Sequence, residues 1–226
     1  MAEIIEESSF RNRMYVFKDR FHAGELLAER LMEYGGRGDA HILAIPAGGV
    51  QVALPIFKRL RLPIDLAVTR KLHIPWNREA GFGAVTWDGV MFLNEPLASA
   101  LHLTREEIDR VVVEEKEAIL RRLKLFRGDK PFPDLRNKAI IIVDDGLASG
   151  FSMLATARSI EERGAKEIIV AVPTASLSAI DLLKPHVDRI VCLNIRTGTV
   201  FAVADAYKQW YDLEDNDVME ILNKLG

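Results

Sequence analysis

One cysteine, Cys192, occurs in the 226 residues, so no disulfide can close within the chain. It lies in the apolar run Ile190-Val191-Cys192-Leu193, which predicts a small buried side chain rather than a reactive thiol. An excess of one charge is missing too. Thirty basic and 33 acidic residues leave a net charge of −3. That balance gives no global attraction to nucleic acid or anionic lipid. No apolar run approaches the roughly 20 residues that span a bilayer. The opening segment MAEIIEESSF is acidic and has no apolar signal core. The expectation is a cytoplasmic protein with no membrane partner and no nucleic-acid partner.

Several catalytic signatures are absent. The five histidines, His22, His41, His73, His102 and His186, show no metal-ligand spacing. No Gly-x-Ser-x-Gly elbow occurs, which argues against an α/β-hydrolase. No Gly-Lys-Ser/Thr follows a glycine loop, and no Gly-x-Gly-x-x-Gly fingerprint is present.

What is present is an alternation of strand and helix signals. Phe21, Leu26, Leu27, Leu31 and Met32 give helical spacing over residues 19–33. A buried strand follows at 41–45, then the turn Pro46-Ala47-Gly48-Gly49, a helix at 50–60 and a strand at 65–69 that runs into Arg70-Lys71. Residues 72–83 have loop composition, with Pro75 and two glycines. Strands are expected at 82–86 and 90–93 around Trp87-Asp88-Gly89. A long helix at 104–126 starts with the capping pair Thr104 and Glu107. It reads as solvated, with Arg121, Arg122, Lys124 and Arg127 matched to its dipole. Strand 139–143, helix 151–163, strand 167–172, helix 176–183 and strand 189–195 complete the pattern. Such alternation predicts an α/β fold, a parallel sheet flanked by helices. One domain spans 1–226, with 1–14 a poorly ordered or edge extension.

The segment AIIIVDDGLASGFS, residues 139–152, carries the most chemistry. Ile140 to Val143 read as a strand buried on both faces. Ligands of open α/β sheets bind at such carboxyl ends. Gly146, Leu147, Ala148, Ser149, Gly150 and Ser152 then lead into a helix whose first N–H groups are unpaired and whose dipole favours an anion. The run is a phosphate cradle that needs no lysine. Asp144 and Asp145 cannot serve that phosphate, since like charges repel. They suit the hydroxyls of a polyol or a bound Mg²⁺. A helix N-cap accounts for one of these residues but not for paired acids followed by small residues and two hydroxyls.

The segment resembles the motif that binds 5-phosphoribosyl pyrophosphate (PRPP) in type I phosphoribosyltransferases. The rest of the chain, from about Phe17, is similar to an uncharacterised subgroup of that family. The likeness rests on Pro46-Ala47-Gly48-Gly49-Val50, Arg70-Lys71, Pro75-Trp76-Asn77-Arg78-Glu79 and the stretch around 202–210. Arginine often stands in these relatives at the position of Ala47.

The resemblance implies a small hood built from the chain ends. It also implies transfer of phosphoribosyl from PRPP, used with Mg²⁺, to a nitrogen nucleophile such as a nucleobase. Asp144 and Asp145 would hold the ribose hydroxyls, and residues 146–152 the 5′-phosphate. Ala47, Gly48, Gly49, Arg70 and Lys71 would hold pyrophosphate, under a lid at 72–81. Phe201, Tyr207, Trp210 and Tyr211 are candidates for base stacking or for hood packing. A homodimer is expected. The alternative reading is a regulator that binds PRPP or a nucleotide without turnover.

Overall fold

The computed structural model describes residues 2–224, apart from the Glu79 side chain. Its first half contains β1 (Glu3–Ile5), α1 (Arg20–Arg30), β2 (Ala40–Ala44), α2 (Gly48–Leu60), β3 (Ile64–Leu66), β4 (Arg70–Ile74), β5 (Asn77–Val85), β6 (Met91–Leu93), α3 (Glu95–Ala100) and α4 (Arg105–Arg127). The second half contains β7 (Ala139–Val143), α5 (Phe151–Glu162), β8 (Glu167–Ser176), α6 (Leu177–Leu183), β9 (Arg189–Arg196) and α7 (Asp215–Asn223).

Six strands form a sheet in the order β1-β9-β8-β7-β2-β3, and every pair in it is parallel. Side chains alternate between the two faces of a strand. Ala139, Ile141 and Val143 of β7 therefore join the core cluster that contains Leu27 of α1 and Val50 of α2. Ile140 and Ile142 join the opposite cluster, with Met153 and Leu154 of α5 and Ile180 of α6. Covering both faces explains why β7 reads as one unbroken apolar run. Cys192 is fully buried, and burial pushes its thiol up to about 12, as expected for an unreactive core residue. Among the described residues no helix is long and apolar enough to cross a membrane.

The structure departs from three readings. Residues 72–83 are not a loop: β4 and β5 pair antiparallel and β6 extends them to a three-stranded sheet. The six-residue helix α3, capped by Asn94, had no counterpart in the periodicity. The strand expected to stop at Val172 runs on through Pro173 to Ser176. Its neighbour β7 ends at Val143, opposite Ala171, so the proline lies beyond the ladder to β7. Of the two readings of the N-terminal segment the edge one holds, since Glu3–Ile5 pair with β9 as edge strand β1.

The capping box of α4 forms as read, with Thr104 and Glu107 each closing the other's backbone N–H. Near the two chain ends Phe17 bridges Tyr207, and Tyr15 N–H donates to the Asp205 carbonyl at 2.7 Å. These two segments pack together over the carboxyl end of the sheet.

Candidate active site

The run 144–152 leaves β7 and is pinned on its way to α5. Leu147 is its anchor. Its N–H donates to the Thr174 carbonyl at 3.0 Å, and its carbonyl accepts from Ser176 N–H at 2.9 Å. The extension of β8 past Pro173 supplies both contacts, and Ser176 Oγ also donates to the Ala148 carbonyl at 2.6 Å. Gly150 then turns the chain at φ +79°, a left-handed conformation that a side chain would resist. Among the described residues, the N–H groups of Gly146, Ala148, Ser149 and Gly150 have no protein acceptor. In the first turn of α5 the Ser152 and Met153 N–H groups add to them, while Phe151 N–H donates to Ser149 Oγ at 3.4 Å. Around this row of donors lies a pocket of about 160 Å³ lined by residues 146–153, Asp144 and Val203. Leu147 supplies shape rather than a donor, because its N–H is spent.

Asp144 and Asp145 are both half-buried at the end of β7. Asp144 Oδ1 accepts the Asp145 N–H at 2.8 Å. Burial, and then the neighbouring Asp145 charge, hold the Asp144 carboxyl well above the usual carboxylate range. Burial also raises Asp145, opposed by Arg20. Arg20 is 4% exposed. Its Nε donates to Asp145 Oδ2 at 2.8 Å, and its Nη1 to the Tyr211 carbonyl at 2.8 Å. Its guanidinium carbon sits 3.8 Å from the Trp210 ring centroid. Tyr207 Oη donates to the Asp145 carbonyl at 2.5 Å. Tyr207 is buried between Phe17 and Trp210. The aromatic residues 207, 210 and 211 thus pack and orient the acid pair. Phe201 lies apart from the acid pair, lining a pocket with Ala148, Ser149 and Ser176, with the Arg196 guanidinium 5.9 Å from its ring centroid.

Gly48 and Gly49 allow a close approach. A β-carbon at 48 would fall on the Asp145 carboxylate, and one at 49 would lie 2.5 Å from the Val143 carbonyl oxygen. The first turn of α2 therefore abuts the acid pair. Gly49 N–H is spent on the Ile45 carbonyl at 3.1 Å. This corrects its reading as a donor to an anion. Ala47 and Gly48 N–H groups have no acceptor among the described residues.

A cleft of about 460 Å³ joins these parts. Asp144 and Ser152 line both it and the smaller pocket, so the two are adjacent. Ala47, Gly48, Arg70, Lys71, His73, Glu115 and Arg122 form much of its other wall. Arg70 and Lys71 line it from the start of β4, not from the end of the strand read at 65–69, which is β3 at Ile64–Leu66 in the other sheet. Their setting differs from the reading, because Arg70 Nε already donates to Glu115 Oε2 at 2.6 Å. The proposed lid at 72–81 is instead the β4–β5 hairpin beside the cleft.

Sequence reasoning missed Arg20 and Glu115. Glu115 is buried on α4 between Val111 and Ile119. A carboxylate in an apolar stripe of period four was its signal. Arg20 had no comparable signal, since its partner is 125 residues away. The helix α4 is also less solvated than expected. Arg122 faces the cleft and pairs with Asp215 at 2.7 Å, and Arg127 is buried against Asp65.

Two groups of acids bear on a metal. His73, Glu114 and Glu115 bring ligand atoms within 4.8 Å of one another. Arg70 and Arg78, however, already occupy the two carboxylates at 2.6 Å each, which makes this an ion-pair network. Asp144 and Asp145 offer only oxygen. They are half-buried against one paired arginine, a donor set that fits Mg²⁺ through its water shell.

Comparison with known proteins agrees with this geometry. The family model for the phosphoribosyl transferase domain matches residues 84–209, more than half of the chain and all of the 144–152 run. A Mycobacterium tuberculosis protein named "Putative phosphoribosyl transferase Rv0571c" is 33% identical over 211 residues, 93% of this chain and 47% of that protein. The chain thus spans about half the length of the curated relatives it matches. The crystal structure of the TT1426 protein of Thermus thermophilus is 32% identical, with a TM-score of 0.73, over 92% of this chain and 98% of that one. The AQ2163 protein of Aquifex aeolicus shares the fold at 9% identity, with a TM-score of 0.52, over 83% and 77% of the two chains. By its sequence and its fold, the chain belongs to the phosphoribosyl transferase domain family.

Proposed function

We propose that the chain binds PRPP and transfers its phosphoribosyl group to a nitrogen nucleophile, a nucleobase, with release of pyrophosphate. One observation carries the reading. N–H groups at 146, 148, 149 and 150, unpartnered among the described residues, lie beside a half-buried carboxyl pair that also lines an adjoining cleft whose far wall is basic. Phosphate, sugar hydroxyls and pyrophosphate each find a matching surface in that order.

The 5′-phosphate sits on the backbone of Gly146, Ala148, Ser149 and Gly150 and on the hydroxyls of Ser149 and Ser152. Asp144 and Asp145 accept from the ribose hydroxyls. Pyrophosphate lies against Ala47 and Gly48 N–H, Arg70 and Lys71. The bond from C1 to pyrophosphate breaks as the new bond from nitrogen forms, and the nucleophile loses its proton. Positive charge grows on the ring and is stabilised by the acid pair, while the basic wall stabilises the departing anion. The protein's work is positioning and fixed charge. Mg²⁺, when bound, would neutralise pyrophosphate charge, with Asp144 and Asp145 holding its water shell.

Incubation with PRPP, Mg²⁺ and a panel of nucleobases tests this. Pyrophosphate release that depends on one base is the expected result. PRPP binding with no release from any base would favour the regulator instead. Light scattering on the eluting peak tests the expected homodimer.

A further inference from the structure

Helix α4 carries a charge where its packing calls for a hydrophobe. Glu115 is 3% exposed, between the buried Val111 and Ile119. A carboxylate taken from water must have its oxygens satisfied, and here both are. Oε2 accepts from Arg70 Nε at 2.6 Å, and Oε1 lies 3.1 Å from Nδ1 of the buried His73. Arg70 is held by that one nitrogen. Among the described residues, its two terminal nitrogens have no acceptor. Its side chain remains one-third exposed (33%) on the cleft wall. An unrestrained arginine there would sample many rotamers and lose them on binding an anion. An arginine fixed at Nε presents its fork already in place.

We propose that Glu115 is a positioning residue for the pyrophosphate end of the cleft. It aims Arg70 at the entering anion and ties His73 into the same wall. This rests on the phosphoribosyl reading above and adds a residue that does not itself touch substrate.

Charge alone and positioning predict opposite signs, which makes the inference testable. Removing a negative charge from a cleft tightens anion binding if Coulomb attraction is all that matters. If Glu115 aims Arg70, the same change weakens it. The experiment is calorimetric titration of the full chain with Mg²⁺-pyrophosphate and, separately, with ribose 5-phosphate.

Glu115→Gln is expected to raise the Kd for pyrophosphate roughly tenfold and leave that for ribose 5-phosphate within about twofold. Arg70→Lys keeps the charge and loses the fork, so a similar selective loss is expected. This second variant lies on the cleft rim and carries the test if burial makes Glu115→Gln unfold. Unchanged or tighter pyrophosphate binding in Glu115→Gln, wild-type affinity in Arg70→Lys, or equal losses for both ligands would overturn the inference. A wild-type protein that binds neither ligand would overturn the phosphoribosyl reading, and this inference with it. A wild-type protein that binds both beside an unaffected Glu115→Gln would overturn this inference alone.

Discussion

Gly48→Ala probes the packing between α2 and the acid pair. The added β-carbon overlaps Oδ2 and Cγ of Asp145 and lies 3.0 Å from its Cβ. The backbone of Asp145 is held, since Tyr207 Oη donates to its carbonyl at 2.5 Å. The carboxylate must therefore rotate away from Arg20 Nε, now 2.8 Å away. A hydrogen bond to a charged group contributes about 1.5–3 kcal/mol. Alanine returns up to about 1 kcal/mol over glycine inside a helix, an upper bound at Gly48, the first residue of α2. The net loss is about 0.5–3 kcal/mol, worth roughly 2–4 °C in Tm per kcal/mol for a chain of this size. Gly49→Ala is the comparison. Its β-carbon would meet backbone, the Val143 carbonyl oxygen at 2.5 Å and Asp144 Cα at 3.0 Å. No rotamer change relieves that, so strand β7 must move, and the overpacking loss is larger. Urea denaturation and calorimetry with ribose 5-phosphate separate the two effects. Gly49→Ala should be the less stable variant. Gly48→Ala should lose sugar-phosphate affinity out of proportion to its stability. Wild-type affinity in a destabilised Gly48→Ala would remove the Asp145 carboxylate from ligand binding.

Two further outcomes follow from the charges. Asp144 has a raised carboxyl, so its ionised form opposes folding, and the penalty appears as pH rises above the ordinary value of 3.8. Asp144→Asn should therefore gain roughly 0.5–2 kcal/mol near neutral pH, lose that gain as pH falls toward 4, and bind ribose 5-phosphate poorly; a loss of stability at pH 7 would contradict this. His41 is buried on β2, and among the described residues neither ring nitrogen has a partner. Burial first, then the charges of Lys138 and Arg127, lowers it to about 4. Its folded pKa lies below the unfolded 6.5, so the unfolded state takes up the proton first. Stability should fall as pH drops from about 6.5 to about 4, by roughly 3 kcal/mol at most. Urea midpoints at pH 7 and pH 5 should show a smaller drop in His41→Leu than in wild type, and equal drops would refute the assignment.

How legible the molecule was in its sequence depended on where each partner lay. The run from Ala139 to Ser152 could be read because strand, turn and helix signals sit side by side, and its donors are local backbone. The β4–β5 hairpin was hidden by its own glycines. Gly81 and Gly83 looked like loop residues. They are glycines because a β-carbon at 81 would press on the Lys71 side chain and one at 83 on the Phe92 carbonyl oxygen of the facing strand. Pro173 likewise looked like a strand end, and only the early finish of β7 makes it tolerable within β8. The Arg20–Asp145 and Arg70–Glu115 pairs join residues 125 and 45 positions apart. No periodicity encodes such contacts, though a lone glutamate within the apolar stripe of α4 marked one of them.

The central claim is that the 144–152 run seats a sugar phosphate. A crystal soaked in ribose 5-phosphate tests it most directly. The phosphate should lie on the N–H groups of Gly146, Ala148, Ser149 and Gly150, with the ribose hydroxyls on Asp144 and Asp145. Phosphate density at Arg70 with an empty 146–152 pocket would contradict the account.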